Sequence, residues 1–153
     1  MVKFKYSSLI DAPVEVVWNF HERPNLIDLL TPPWQHIQVR SRKGGLEVGA
    51  LSEVEIIVGL VSIRWLATLT EYNEYHFFTE EQHEGPFEYW KHRHQFTAEN
   101  HKTLLTDDID FSLPGGFLSD LFGSWVVMIQ LDQIFRYRHE TIQRECRIHH
   151  HRT

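Results

Sequence analysis

Cysteine is nearly absent: Cys146 is the only one in 153 residues. That excludes an internal disulfide and any cysteine-based zinc cluster, and it fits a reducing, cytoplasmic setting. Long apolar runs are missing as well. No window approaches the roughly eighteen apolar residues of a membrane-spanning helix, and Met1 to Ile10 alternates polar and apolar residues instead of forming a signal-peptide core. Basic residues are outnumbered, 15 Lys and Arg against 21 Asp and Glu, for a net charge of −6. This balance argues against a nucleic-acid partner or an anionic membrane surface, although the 11 histidines offset part of it in mild acid. There is no internal repeat, no Gly-x-Ser-x-Gly elbow and no phosphate-cradling loop, and Gly44-Gly45 reads as a turn.

What is present is a strong periodic signal near the C-terminus. Leu118, Leu121, Phe122, Trp125, Met128 and Ile129 recur at three- and four-residue steps, which predicts a helix over 117–142 with that stripe toward the core. Pro114-Gly115-Gly116 breaks the chain just before it, and Arg136, Arg138 and His139 suit the negative end of its dipole. After Met128 the apolar positions shift to Leu131, Ile134, Phe135 and Ile142, so the two halves are expected to meet different surfaces, with Gly123 as a bend.

Earlier in the chain, Val2, Phe4, Tyr6, Ser8 and Ile10 share one parity and predict an opening strand. Pro13 and Glu15 start a short helix, and Pro24 and Pro32-Pro33 confine a second to about Asn25 to Leu30. From Ile37 to Ser112, strand-length runs are separated by turn signals at Gly44-Gly45, Gly59, Tyr72-Asn73, Gly85-Pro86 and Asn100-His101. Their short connections make successive strands antiparallel neighbours. A sheet with one apolar face and a striped helix must cover each other. The expected fold is therefore α+β: a curved antiparallel sheet of about seven strands, two short helices and a long C-terminal helix. Residues 1–145 form one domain, and 146–153 a frayed basic tail.

The chemistry concentrates in one hairpin. If Glu99 to Lys102 forms its loop, Trp90 pairs with Phe111, His92 with Ile109, His94 with Asp107 and Phe96 with Leu105, and both inner faces agree. Pairing Glu84 with Phe87 across the preceding turn would set Glu81 beside Trp90, Thr79 beside His92 and Phe77 beside His94. Glu81, His83, His92, His94 and Asp107 would then all face the helix. Each needs a partner there or costs about 1–3 kcal/mol, so a wet or ligand-filled cavity is expected.

Several segments carry a family resemblance: Asp11-Ala12-Pro13-Val14-Glu15-Val16-Val17-Trp18, Phe20-His21-Glu22-Arg23-Pro24, Leu30-Thr31-Pro32-Pro33-Trp34, Gly85-Pro86-Phe87, Trp90-Lys91-His92-Arg93-His94 and Phe135-Arg136-Tyr137-Arg138. Together they resemble the SRPBCC superfamily, in particular its bacterial ligand-binding, cyclase/dehydrase-like branch. That superfamily also holds START lipid-transfer domains, birch-pollen-type allergens and polyketide cyclases. The resemblance covers essentially the whole chain. It implies a helix-grip fold, in which the sheet wraps the long helix around an apolar cavity, and it implies no general metal site.

Three readings of the polar residues compete. In the plainest, His94 is held by Asp107 and His92 by Thr79 or water, a buried network. In a second, His92 and His94, about 7 Å apart on one strand face, bind a divalent metal with Asp107 or Glu81. In a third, Asp107 orients His94 as a general acid or base for a cyclase or dehydrase, although no activated nucleophile or oxyanion hole is legible. The reading adopted is binding of a hydrophobic or amphipathic small molecule between sheet and helix, for storage, transport or sensing. Its wall would be Phe77, Trp90, Phe111, Trp125, Met128 and Ile129, its polar contacts Glu81, His92, His94 and Asp107, and its mouth Trp34 with Pro32-Pro33. No metal and no cofactor is expected. The alternative is the cyclase or dehydrase built on His94 and Asp107, and a third possibility is a partner-binding domain with a vestigial cavity.

Overall fold

The computed structural model describes the backbone of residues 1–152 and the side chains of residues 1–147. Strand β1 (Val2–Ile10) leads through helices α1 (Val14–His21) and α2 (Leu26–Leu30) into β2 (His36–Lys43), β3 (Leu51–Val58), β4 (Val61–Asn73), β5 (Phe77–Glu84), β6 (Tyr89–Glu99) and β7 (Lys102–Ser112). Helix α3 (Phe117–Arg152) closes the chain. The sheet is seven-stranded in the order β1-β7-β6-β5-β4-β3-β2, and every pairing is antiparallel. This is the helix-grip α+β architecture. Pro13 precedes the first turn of α1, where its missing N–H costs nothing.

Two apolar clusters hold the sheet to the helices. One joins Ile10, Val17, Trp18, Phe20, Phe78, Phe96, Leu105, Ile142 and Cys146. Trp18 is its hub, packed edge-on against Tyr72, Tyr75, Phe78 and Phe96. The other joins Phe4, Ile109, Phe111, Leu131 and Phe135, flanked by Trp90, Val127 and Met128.

Helix α3 starts after Gly115 and Gly116, whose φ angles of 102° and 74° suit glycine. Asp120 pins this end: its carboxylate accepts from the Leu113 N–H at 2.7 Å and from the Met1 ammonium at 3.0 Å. Gly123 serves close approach, since a Cβ there would come within 2.9 Å of Leu113 Cδ1. The helix continues through Arg152, past the expected end at Ile142. Cys146, assigned to a frayed tail, is buried beside Ile142. The side chains of 148–153, where the rest of that tail was expected, lie outside the described residues.

The first half of α3 departs most from expectation. Leu118, Leu121, Phe122, Trp125 and Ile129 are exposed, Trp125 by 62%. The inward face instead carries Met128, Leu131, Phe135, His139, Ile142 and Cys146 at helical spacing. At about 100° per residue, Trp125 and Ile129 lie roughly a quarter to a third of a turn from the centre of this row, beyond the surfaces that β1, α1 and α2 offer.

Candidate functional site

Between the two apolar clusters lies a polar layer, to which β1, β6, β7, α1 and α3 contribute. Along β7, Asp107 stands between Leu105 and Ile109; along β6, His92 and His94 stand between Trp90 and Phe96. Along α3, His139 stands between Phe135 and Ile142, and along β1, Ser8 stands between Phe4 and Ile10. Helix α1 adds His21, fully buried and hydrogen-bonded through Nδ1 to the Val17 carbonyl at 2.8 Å.

Asp107 is the centre of this layer. His92 Nε2 lies 2.6 Å from its Oδ1, His94 Nδ1 lies 3.1 Å from the same oxygen, and His139 Nε2 lies 2.5 Å from Oδ2. Burial alone would raise this carboxyl, but the hydrogen bonds from His139, His92 and His94 outweigh it and hold it well below the usual range. Asp107 is therefore an anion that accepts from the His92 and His139 ring N–H groups, with His94 Nδ1 close beside Oδ1. Burial, then repulsion from His94, lowers His92 to about 4, and the same two causes lower His21 to about 3. Both rings are neutral near pH 7. The His92 and His94 rings stack at 3.8 Å between centroids, and Phe78 stacks on His94 at 4.2 Å. His94 Nε2 is buried without a partner, and the Glu80 carboxylate stops 3.9 Å away.

The expected register of β6 and β7 is observed pair for pair, including His94 opposite Asp107 and Trp90 opposite Phe111. The β5 register is displaced by one residue: Phe78 pairs with His94, Glu80 with His92 and Glu81 with Lys91. The cause is Gln82, whose amide brackets Phe87, accepting from its N–H at 3.2 Å and donating to its carbonyl at 2.8 Å. The connection thereby widens beyond the expected tight turn. A one-residue slip moves every side chain to the other face. Phe77 and Glu81 consequently leave the inner face, Phe78 and Glu80 replace them, and His83 is exposed. Phe77 instead packs under the Arg93 guanidinium at 4.4 Å. Thr79 accepts from Arg93 Nε at 3.3 Å and does not hold His92, whose partner is Asp107.

Of the other expected wall residues, Trp90, Phe111 and Met128 face inward but pack within one apolar cluster, while Trp125 and Ile129 stand outside. Trp34 is exposed by 55% and meets Tyr137 of α3 edge-on at 5.7 Å. His92, His94 and Asp107 each bring a possible metal-ligand atom within 4.8 Å of the others. Both Asp107 oxygens are already engaged by imidazoles, so the donor set reads as a hydrogen-bonded network. Ser8, His21, Glu80 and His139 were not expected from sequence as site residues. Strand parity could have found Ser8, and helical spacing from Phe135 could have found His139.

A groove of about 450 Å³ opens between β1 and α3, lined by Tyr6, Ser8, Leu9, Ile10, His139, Glu140, Gln143, Arg144 and Arg147. A smaller hollow of about 70 Å³ lies among Leu26, Arg42, Ala50, Leu69 and Glu80. None of the expected ligand residues lines either one. Among the described residues, no helix is long and apolar enough to cross a membrane.

Solved structures of the same architecture include protein Ms6760 from Mycobacterium smegmatis, 14% identical, with 97% of this chain and 92% of that one aligned at a TM-score of 0.71. The Zhui aromatase/cyclase from Streptomyces sp. R1128 is 12% identical, with 95% and 93% aligned at a TM-score of 0.70. Ara h 8.0201 is 13% identical, with 95% and 97% aligned at a TM-score of 0.66. At such identities these likenesses speak for the fold. No curated protein matches the chain in sequence. Residues 10–131 match the family model described as polyketide cyclase / dehydrase and lipid transport, and the chain belongs to that family, within the SRPBCC superfamily.

Proposed function

We propose that the protein binds a hydrophobic or amphipathic small molecule between its sheet and C-terminal helix, at the groove between β1 and α3. The observation that carries this reading is the groove itself. Its volume of about 450 Å³ falls within the roughly 300–1,000 Å³ of ligand pockets. Tyr6, Leu9 and Ile10 offer apolar contact, and Arg144 and Arg147 offer positive charge to an anionic head. The lipid-transport element of the family description agrees with such a ligand. Native mass spectrometry of freshly purified protein tests the reading, together with titration of a fluorescent fatty acid. A co-purified small molecule, or saturable binding weakened about tenfold by Arg144→Glu, is expected. Protein that carries nothing and binds no probe would sink it.

A second reading, a cyclase or dehydrase, is favoured by His94. Its Nδ1 is oriented by Asp107 while its Nε2 is buried and unpartnered, as a proton-transfer group requires. His94→Ala would then abolish turnover of a polyketide-like substrate, whereas under the carrier reading, whose groove His94 does not line, binding would be retained.

A further inference from the structure

The polar layer contains an arrangement that ligand binding alone does not use. Ser8 Oγ lies 2.5 Å from His139 Nδ1, and the opposite ring nitrogen, Nε2, lies 2.5 Å from Asp107 Oδ2. With Asp107 accepting from Nε2–H, Nδ1 is the ring nitrogen placed to accept the Ser8 hydroxyl proton. A hydroxyl directed at an imidazole that is itself held by a buried carboxylate is how a serine nucleophile is activated. Compared with the usual triad the ring is turned, with the hydroxyl on Nδ1 and the carboxylate on Nε2. The proton path is the same.

The surroundings suit acyl chemistry. Ser8 and His139 both line the 450 Å³ groove, with Tyr6, Leu9 and Ile10 for an apolar chain and Arg144 and Arg147 for an anionic group. Strand β1 is a sheet edge, so alternate N–H groups along it lack a strand partner. Just past its end the Asp11 N–H donates to Gln143 Oε1 at 2.8 Å, a contact to one of the groove's lining residues.

We propose that Ser8, His139 and Asp107 form a nucleophilic relay that hydrolyses esters carrying an apolar acyl chain and an anionic group, held in this groove. The proposal rests on the groove being the ligand site. Ser8 Oγ attacks the ester carbonyl carbon and its proton passes to His139 Nδ1. The bond from that carbon to the alcohol oxygen breaks, and the alcohol leaves with the proton. Water, the second reactant, then attacks the acyl-serine. It gives one proton to His139, which returns it to Ser8 Oγ as the carboxylic acid departs. Nothing is oxidised or reduced.

The full chain treated with a fluorophosphonate, and assayed separately with p-nitrophenyl butyrate, tests the relay. One adduct mapped to Ser8 by peptide mass spectrometry is expected, with ester turnover that Ser8→Ala abolishes at unchanged melting temperature. His139→Gln should lower both by at least about a hundredfold. If His139→Gln fails to fold, Ser8→Ala alone decides. Folded protein without an adduct at Ser8, and with ester turnover no faster than Ser8→Ala, overturns the relay. Fatty-acid binding retained in that protein would leave the ligand reading standing, and loss of both would remove both.

A separate observation concerns the uncovered first half of α3. Phe117, Phe122 and Trp125 are exposed by 77%, 69% and 62%, beside exposed Leu118, Leu121 and Ile129. Aromatic side chains of roughly 150–250 Å² each, together with these aliphatic ones, present on the order of 700 Å², close to the roughly 800 Å² per partner of an ordinary interface. From Phe117 to Leu131 the only charged residue is Asp120, and the Met1 ammonium neutralises it. Two copies can therefore dock without burying an uncompensated charge, whereas an anionic membrane would require basic residues that this stretch lacks. We infer that this face pairs with the same face of a second copy. Sedimentation velocity of the full chain should show a dimer at micromolar concentration, with Trp125→Glu raising its dissociation constant at least a hundredfold and leaving the melting temperature unchanged at concentrations where both proteins are monomeric. A wild-type monomer under those conditions overturns the inference, as does flotation with neutral phosphatidylcholine vesicles without self-association.

Discussion

From Phe117 to Ile129, α3 is mostly apolar, yet Leu118, Phe122, Trp125 and Ile129 stand in solvent. From Leu131 to Cys146 charged and polar residues dominate, yet Leu131, Phe135, His139, Ile142 and Cys146 are buried. The difference lies in what faces each half. The second half has β1, α1 and α2 against it and Asp107 aimed at it, so one narrow row of side chains decides its fit. The first half touches the core through Val127, Met128 and the close approach of Leu113 to Gly123, and the remainder of its surface is uncovered. Apolar content marks a helix as sticky; the surface opposite selects the side that is buried.

The sharpest way to break this comparison is to remove the charge that fixes the buried half. Asp107→Ala leaves His92, His94 and His139 buried without their acceptor, and a loss of about 3–5 kcal/mol is expected in chemical denaturation. A cost near zero would mean that the histidines find other partners and that the second half is not held from within. Phe135→Ala deletes a ring that is only 3% exposed and touches Phe4 and His92. It should cost about 3–4 kcal/mol, far more than any truncation in the first half.

Acid tests the same layer through protons. His92 and His21 have folded pKa values lowered from 6.5 to about 4 and about 3. Between those values and 6.5 the unfolded chain binds more protons than the native one, so stability rises with pH. Their contribution is complete above about pH 6.5 and is lost progressively as pH falls toward 4. The depressed Asp107 carboxyl acts in the same direction at lower pH, being protonated more readily in the unfolded chain. Melting temperature should therefore fall steeply between pH 6.5 and 4, and a flat profile would place these rings in water.

Strand order, the two short helices, the long helix and the β6–β7 register were legible because alternation and turn residues are local signals. His94 opposite Asp107 followed from parity alone. The β5 register was not legible: it depends on Gln82 bracketing Phe87 with its side chain, which no periodicity reports. The helix face was misjudged for a related reason, since the densest apolar stripe, through Trp125, was taken as the buried one. His139 stands in the sequence as a cation suited to a helix end, and only the fold brings it to Asp107 from 32 residues away. The groove was equally hidden, because Arg144, Arg147 and Ser8 become neighbours only when β1 lies beside α3.

The smallest expected effect is the most discriminating. Trp125→Gln removes the largest apolar side chain of the exposed face without touching either core cluster. In the monomer, denaturation should register within about 0.5 kcal/mol of wild type, as for a surface substitution. Measured at rising protein concentration, the two proteins should separate. Wild type would gain stability by mass action as copies associate, and the variant would not. A loss above about 2 kcal/mol at the lowest concentration would instead mean that Trp125 is covered within a single chain. The two halves of α3 would then be buried alike.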